Sequence, residues 1–493
     1  MTEILVRIGP EIAIKSRRTR KRFQERLERN IRDALKSSGI ESQIDARWSR
    51  LFVSVSDDTA LRRIADVFGV SSVSVIEARL PADLADIVRV GKELFEERVR
   101  GKRYAVAVRR AGRIPFRSQE VRVELGAALN EHATVDLTHP DVTVSVELRD
   151  GEAFLFSGKV KGVGGLPVGV EGRAVCLISG GFDSAVAAWL MLKRGVALDY
   201  VFCNLGGEAY ERAVLSVAKI LGDGWSFGDR PKVHVVDFAD TVDRLKDAVT
   251  PRYWQIVLKR LMYRAAEQVA QEIRAEAIVT GESIGQVSSQ TLHNLRAIDD
   301  VATLPVLRPL VGADKEEIIA LAGRIGTAPL SAHIREYCAI LPDKPVTKST
   351  PRAARSEEAK VDLEPLRLAV GSRKVLDLRA LEPVDLVQPY IFADEIGADV
   401  VVLDCREEHH YRAWHYPKAE RRDINALAAR FSELDKTKTY VLYCSFGVQT
   451  AHVAEAMQRA GYEAYSFRGG AQAVRRYAEE RARTGDPGCI KQQ

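Results

Sequence analysis

Cysteine is scarce in this chain: six occur in 493 residues, and no two are spaced as Cys-x-x-Cys. That excludes a disulfide-built scaffold and a cysteine zinc site. The nine histidines show no metal-ligand spacing, and His409-His410 and His415 read as a surface loop. No metal-ligating side-chain cluster is therefore expected. No apolar run approaches the roughly 18 residues of a membrane span. The opening stretch, Met1-Thr2-Glu3-Ile4-Leu5-Val6-Arg7, has none of the pattern of a signal peptide. The expected compartment is the reducing cytoplasm, with no membrane partner. Repeats and low-complexity tracts are also missing.

The composition is that of a soluble globular protein, 46% hydrophobic and 29% charged. The length is too great for one ordinary core, so roughly three or four domains are expected. The net charge of +5 conceals an asymmetry. Residues 1–125 carry 27 Lys/Arg against 18 Asp/Glu, while the remainder is net negative. The densest cluster includes Lys15, Lys21, Arg22 and Arg26. From 19 to 36 the apolar residues Phe23, Leu27, Ile31, Ala34 and Leu35 recur at helical spacing. The spacing predicts an amphipathic helix with one basic face, suited to nucleic-acid phosphates.

The segment Ser179-Gly180-Gly181-Phe182-Asp183-Ser184 follows an apolar run at 174–178 and precedes a helix-like stretch at 185–194. Strand, Gly-rich turn and helix in that order bring backbone N–H groups and hydroxyls to a helix N-terminus, where anions are favoured. The Gly-Lys-Ser/Thr ending of the usual P-loop is missing. The loop instead resembles the PP-loop of ATP pyrophosphatases, which adenylate an oxygen and release pyrophosphate. Further strands are expected at 198–204, 232–237 and 277–280, alternating with helices as in a doubly wound parallel sheet over 172–345. The loop, Asn204 and Gly281-Glu282 all follow strand ends, where such sheets bind ligands.

A second loop, Cys444-Ser445-Phe446-Gly447-Val448-Gln449-Thr450, lies between a strand-like run at 440–443 and a helix-like run at 451–459. A cysteine so placed sits among N–H donors that stabilise anionic sulfur. With Asp404-Cys405-Arg406 upstream and Arg468-Gly469-Gly470 downstream, this region resembles a rhodanese domain. In that family the loop cysteine carries a persulfide. Many such loops hold an Arg where this one has Phe446.

Residues 1–60 read as strand, basic helix, strand. Residues 61–165 read as a second α/β unit, and the pieces 135–137, 139–141 and 162–169, in it and across its end, resemble the THUMP domain of RNA-modifying enzymes. Residues 346–371, with mixed charge and few aromatics, read as a mobile linker, and the rhodanese-like domain as 372–493. Taken in order, these parts resemble the tRNA uracil 4-sulfurtransferase family, the 4-thiouridine synthases also linked to thiamine thiazole sulfur. The stretch Thr280-Gly281-Glu282-Ser283-Ile284-Gly285-Gln286-Val287-Ser288-Ser289-Gln290-Thr291 also matches, as do Asn294-Leu295, Leu307-Arg308-Pro309-Leu310 and Asp314-Lys315-Glu316-Glu317.

The resemblance implies a multidomain α/β fold: a ferredoxin-like N-terminal domain, a THUMP domain, the PP-loop domain and the rhodanese-like domain. It implies ATP and Mg²⁺ as cofactors. ATP contacts carry over to Leu177, Ile178, Lys259, Gly281 and Gln290, beside the loop residues Ser179, Gly180, Gly181 and Ser184. Asp183 is expected to help hold Mg²⁺ and pyrophosphate. The implied partners are tRNA, a cysteine desulfurase as sulfur donor, and a cellular reductant. The last acts on a disulfide between Cys444 and Cys338, the cysteine of Glu336-Tyr337-Cys338. Cys176 and Cys203 read as core, Cys405 as a pocket residue and Cys489 as an exposed thiol. Two routes stay open: direct attack by the persulfide, or sulfide released as Cys338 closes the disulfide. Competing readings are a sulfur relay for thiazole alone, a tRNA-binding protein with a degenerate PP-loop, and a lysidine-forming or 2-thiolating PP-loop enzyme.

Overall fold

The computed structural model describes residues 2–47, 50–57, 59–205, 207–332, 334, 344–386, 391–397, 399–445 and 447–484. Cys338, Phe446 and Cys489 lie outside them. The chain divides into two compact units, Met1–Gly165 and Leu166–Gln493.

In the first unit, strand Thr2–Ile8 is central because its apolar run is buried on both faces. It pairs antiparallel with Arg50–Val55 on one side and Val70–Val75 on the other. Strands Ser42–Arg47 and Val160–Lys161 complete a five-stranded sheet, ferredoxin-like in its order. The basic helix forms as Arg17–Ser37 and buries Phe23, Leu27, Ile31, Ala34 and Leu35. The first domain therefore runs past residue 60, because Val70–Val75 supplies the second neighbour that the central strand requires. The second sheet joins Ala78–Pro81, Glu152–Phe156, Val142–Arg149, Arg103–Ala111 and Thr134–Val135 in that order. Helices Leu84–Val99 and Ser118–Leu129 pack together over its core.

In the second unit, strands Val306–Leu307, Ile278–Val279, Arg173–Leu177, Ala197–Asn204 and Lys232–Asp237 lie side by side and parallel. Helices 182–193, 207–225 and 315–325 pack as one group, and 239–248, 254–273 and 364–371 as another. The second group closes a core around Val175, Val201, Val236, Leu261 and Ile278. A sixth strand, Lys374–Asp377, joins antiparallel beyond Lys232–Asp237. It falls inside the stretch expected to be rhodanese-like.

Residues 346–371, expected to be a linker, are ordered on this domain. Thr350 caps helix Pro351–Glu358, accepting from the Ala353 amide at 3.2 Å. Helix Glu364–Gly371 follows and packs on 254–273. Among the mixed charges of the segment, Glu358 accepts from Arg260 at 2.7 Å and from Arg264 at 2.8 Å.

A separate five-stranded sheet, parallel throughout, holds Phe392–Ala393, Glu463–Phe467, Thr439–Tyr443, Val401–Asp404 and Glu420–Arg421. Its helix Val448–Arg459 meets the domain of the six-stranded sheet. Gln449 donates to the Gly326 carbonyl at 2.7 Å, and the His452 ring lies 2.7 Å from the Ser216 hydroxyl.

Candidate active site

Strand Arg173–Leu177 runs into the turn and then helix Phe182–Lys193. Gly180 has φ of 78°, a conformation that favours glycine. The Ser179 amide donates to the Ser184 hydroxyl at 3.2 Å, which donates on to the Gly181 carbonyl. Tyr210 and Ser331 donate to the carbonyls of Ser179 and Gly180, at 3.1 and 2.8 Å. Gly181 caps the helix with no side chain of its own, leaving the helix N-terminus to anions.

A cavity of about 330 Å³ opens beside this turn. Leu177, Ile178, Ser179, Asp183, Ser184, Lys259, Gly281 and Gln290 all line it. Gly180 and Gly181 shape the turn instead of the wall. A Cβ at Gly281 would come within 2.6 Å of the Asp183 carbonyl carbon and the Ser184 amide, so only glycine fits. Cys203 also lines the cavity but is buried, and burial pushes its thiol up. Cys176 is core, and burial pushes its thiol up to about 12.

Asp183 is held by Lys315 at 2.9 Å and by the Gln286 amide at 2.9 Å. Lys259, at 2.6 Å, donates to Oε1 of Glu282. Glu282 Oε2 accepts from Tyr263 at 2.6 Å and Arg308 at 2.9 Å. Burial of Glu282 disfavours its charge, but Lys259 and Arg308 outweigh this and hold the carboxyl at about 2. Burial pushes the Tyr263 hydroxyl well up. The contacts made by Glu282, Gln286 and Lys315 were not foreseen from sequence. Asp183 and Lys315 are 132 positions apart, and no local pattern marks their meeting.

Cys444 ends strand Thr439–Tyr443, one turn before helix Val448–Arg459. Gly447 at φ of 84° makes the corner. The Cys444 thiol is 3% exposed and lies 3.5 Å from the Thr450 hydroxyl, which in turn meets Ser466 at 2.8 Å. Asp404 is locked by Arg406 and by the Tyr443 hydroxyl at 2.7 Å. Cys405 is buried behind them, and burial pushes its thiol well up. Cys338 lies outside the described residues.

Lys21 and Arg22 stand exposed on the basic helix, and Lys15 and Arg26 are half-buried. Lys15 and Arg22 sit over the Phe23 ring at 5.3 and 5.2 Å. No helix among the described residues is long and apolar enough to cross a membrane.

A Gly-rich turn beside a cavity at one end of a parallel sheet, joined to a cysteine loop at a helix N-terminus, defines a PP-loop sulfurtransferase. Family profiles match in the same order: ThiI ferredoxin-like domain at 3–74, THUMP domain at 81–157, thiamine biosynthesis protein (ThiI) at 169–363, and rhodanese-like domain at 389–476. Curated relatives named tRNA sulfurtransferase include one from Pyrobaculum aerophilum, 35% identical over 95% of this chain and 97% of its own. Another, from Serratia proteamaculans, is 35% identical over 91% and 96%. Among solved structures, a 4-thiouridine synthetase–RNA complex with bound ATP aligns at TM-score 0.68 and 31% identity. It covers 76% of this chain and 99% of its own. The chain belongs to the tRNA sulfurtransferase family.

Proposed function

We propose that this chain is a tRNA 4-thiouridine synthase, which activates the uridine at position 8 of tRNA with ATP and replaces its 4-oxygen with sulfur. One observation carries the reading: Ser179, Asp183, Ser184, Lys259, Gly281 and Gln290 share one cavity beside the PP-loop turn. The ATP and RNA in the related 4-thiouridine synthetase structure support it.

In this reading the turn 179–184 and Lys259 bind the phosphates of ATP, and Gly281 gives them room. The C4 oxygen of uridine attacks the α-phosphate, and pyrophosphate leaves. Of the carboxylates on the cavity wall, Glu282 is locked between Lys259 and Arg308, whereas Asp183 stands at the turn itself and is held by the half-exposed Lys315, so Asp183 is the group suited to a cation. One carboxylate beside substrate phosphates fits Mg²⁺. When bound, Mg²⁺ balances the charge of the departing pyrophosphate. The basic face with Lys15, Lys21, Arg22 and Arg26 grips tRNA phosphates.

Cys444 carries sulfur as a persulfide loaded by a cysteine desulfurase. The terminal sulfur displaces AMP at C4, and the former 4-oxygen leaves on AMP. Cys338 closes a disulfide with Cys444, either after direct attack or while releasing sulfide. A cellular reductant restores both thiols with two electrons. The thiamine description of the matching family profile favours a second role, sulfur delivery to thiazole, which needs Cys444 but not Asp183.

Purified protein is incubated with unmodified tRNA, ATP, Mg²⁺, a cysteine desulfurase and cysteine, and digested nucleosides are analysed by mass spectrometry. The expected product is 4-thiouridine with pyrophosphate. Neither product forming would overturn the reading.

A further inference from the structure

We infer that Glu282 is a positioning residue that presets the Lys259 ammonium for phosphate. The inference rests on the reading of the cavity as an ATP site. Glu282 is 6% exposed, and its carboxylate cannot turn. Oε2 accepts from the Tyr263 hydroxyl at 2.6 Å, Arg308 Nε at 2.9 Å and the Thr280 hydroxyl at 3.1 Å. Arg308 is fixed in turn by Asp299 at 3.0 Å. Those donors leave Oε1 for one ligand, Lys259 Nζ at 2.6 Å.

The charges balance within the group: Glu282 and Asp299 against Lys259 and Arg308. A buried acid serving stability alone would be satisfied by Arg308, Tyr263 and Thr280. Its remaining oxygen instead holds the ammonium of a lysine on the cavity wall. Lysine is a flexible point charge with three donors, and fixing it costs rotamer entropy. One donor spent on an immobile carboxylate removes much of that cost before ATP arrives and leaves two for phosphate oxygens. Glu282 therefore acts on ATP through Lys259, without touching it.

The test is a double-mutant cycle on ATP affinity, measured by equilibrium dialysis of labelled ATP with the full chain. Glu282→Gln and Lys259→Met should each weaken binding by about tenfold or more. The double variant should be no weaker than Lys259→Met, within about twofold, because the two act as one unit. Tyr263→Phe removes a neighbouring bond but keeps the Lys259 contact, and should change affinity less than about threefold. If Glu282→Gln does not accumulate folded, Glu282→Asp takes its place in the cycle. It keeps the charge but withdraws it from Lys259, with the same non-additivity expected. Losses that multiply, or an unchanged affinity in the Glu282 variant, would overturn the inference while leaving the ATP site intact. A parent protein that does not bind ATP would overturn both.

Discussion

Arg260 and Glu358 form an ion pair at 2.7 Å with only 1% and 5% of their side chains exposed. The pair ties the helix that carries Lys259 to the segment 346–371. Its charges are buried and mutually satisfied, so removing one partner leaves the other uncompensated.

Glu358→Gln should therefore destabilise the second unit by about 3–5 kcal/mol. Burial raises the Glu358 carboxyl, but Arg264 and Arg260 outweigh this and hold it below the ordinary value of 4.5. A lowered acid gives stability that is present above its unfolded value and lost as pH falls through its folded value. Glu282, at about 2, behaves alike. The melting temperature should thus fall steeply between pH 4.5 and about 2, and Glu358→Gln should flatten part of that fall.

Gly281→Ala should abolish ATP binding. The added methyl would meet backbone atoms of Asp183 and Ser184 at 2.6 Å, and neither can yield without moving the turn. A destabilisation of about 1–3 kcal/mol should accompany the loss. Isothermal titration with ATP, beside a melting curve, separates the two effects.

Asp183→Ala should eliminate 4-thiouridine while leaving persulfide loading of Cys444 intact. Lys315 loses its partner in this variant, so protein folding is checked by circular dichroism. Normal thiouridine in the variant would refute the adenylation step.

Replacing Lys21, Arg22 and Arg26 together with Ala should weaken tRNA binding and lower the slope of log affinity against log salt by about 2–3. ATP affinity should not change. An unaltered slope would make this face merely solvated.

Cys444→Ala should lose persulfide labelling and product together. Cys338→Ala should keep labelling yet stop after one turnover. Peptide mapping of the parent protein without reductant, after one turnover, should recover a Cys338–Cys444 disulfide. Cys405 or Cys489 in place of Cys338 would reassign the resolving thiol.

The two functional loops were legible because each is contiguous: strand, turn and helix lie within about 20 residues, and the turn glycines mark the corner. Pairings between distant segments were not. Val70–Val75 and Lys374–Asp377 join sheets whose other strands lie far away in sequence, so the first domain ends later than expected and the sixth strand went unread. The linker was misread for a different reason. Composition counts charges but not partners, and Glu358 finds Arg260 about 100 residues away. The same holds for the contacts of Glu282, which form only when Lys259 and Arg308 fold onto it.

The sixth strand and the helix after it shorten the leash on the rhodanese-like sheet. Past Leu378, whose amide bonds the Pro231 carbonyl at 3.1 Å, helix Pro383–Leu386 still packs on helix 207–225, with Leu386 buried. The rhodanese-like sheet begins at Phe392. About six residues therefore join the two, spanning at most about 20 Å when fully extended. A domain held on so short a linker meets a target on its neighbour at an effective concentration on the order of millimolar. In the proposed reaction, sulfur handed over within one molecule would be indifferent to how dilute the protein is, and a loaded Cys444 would be kept near its own acceptor instead of meeting thiols elsewhere.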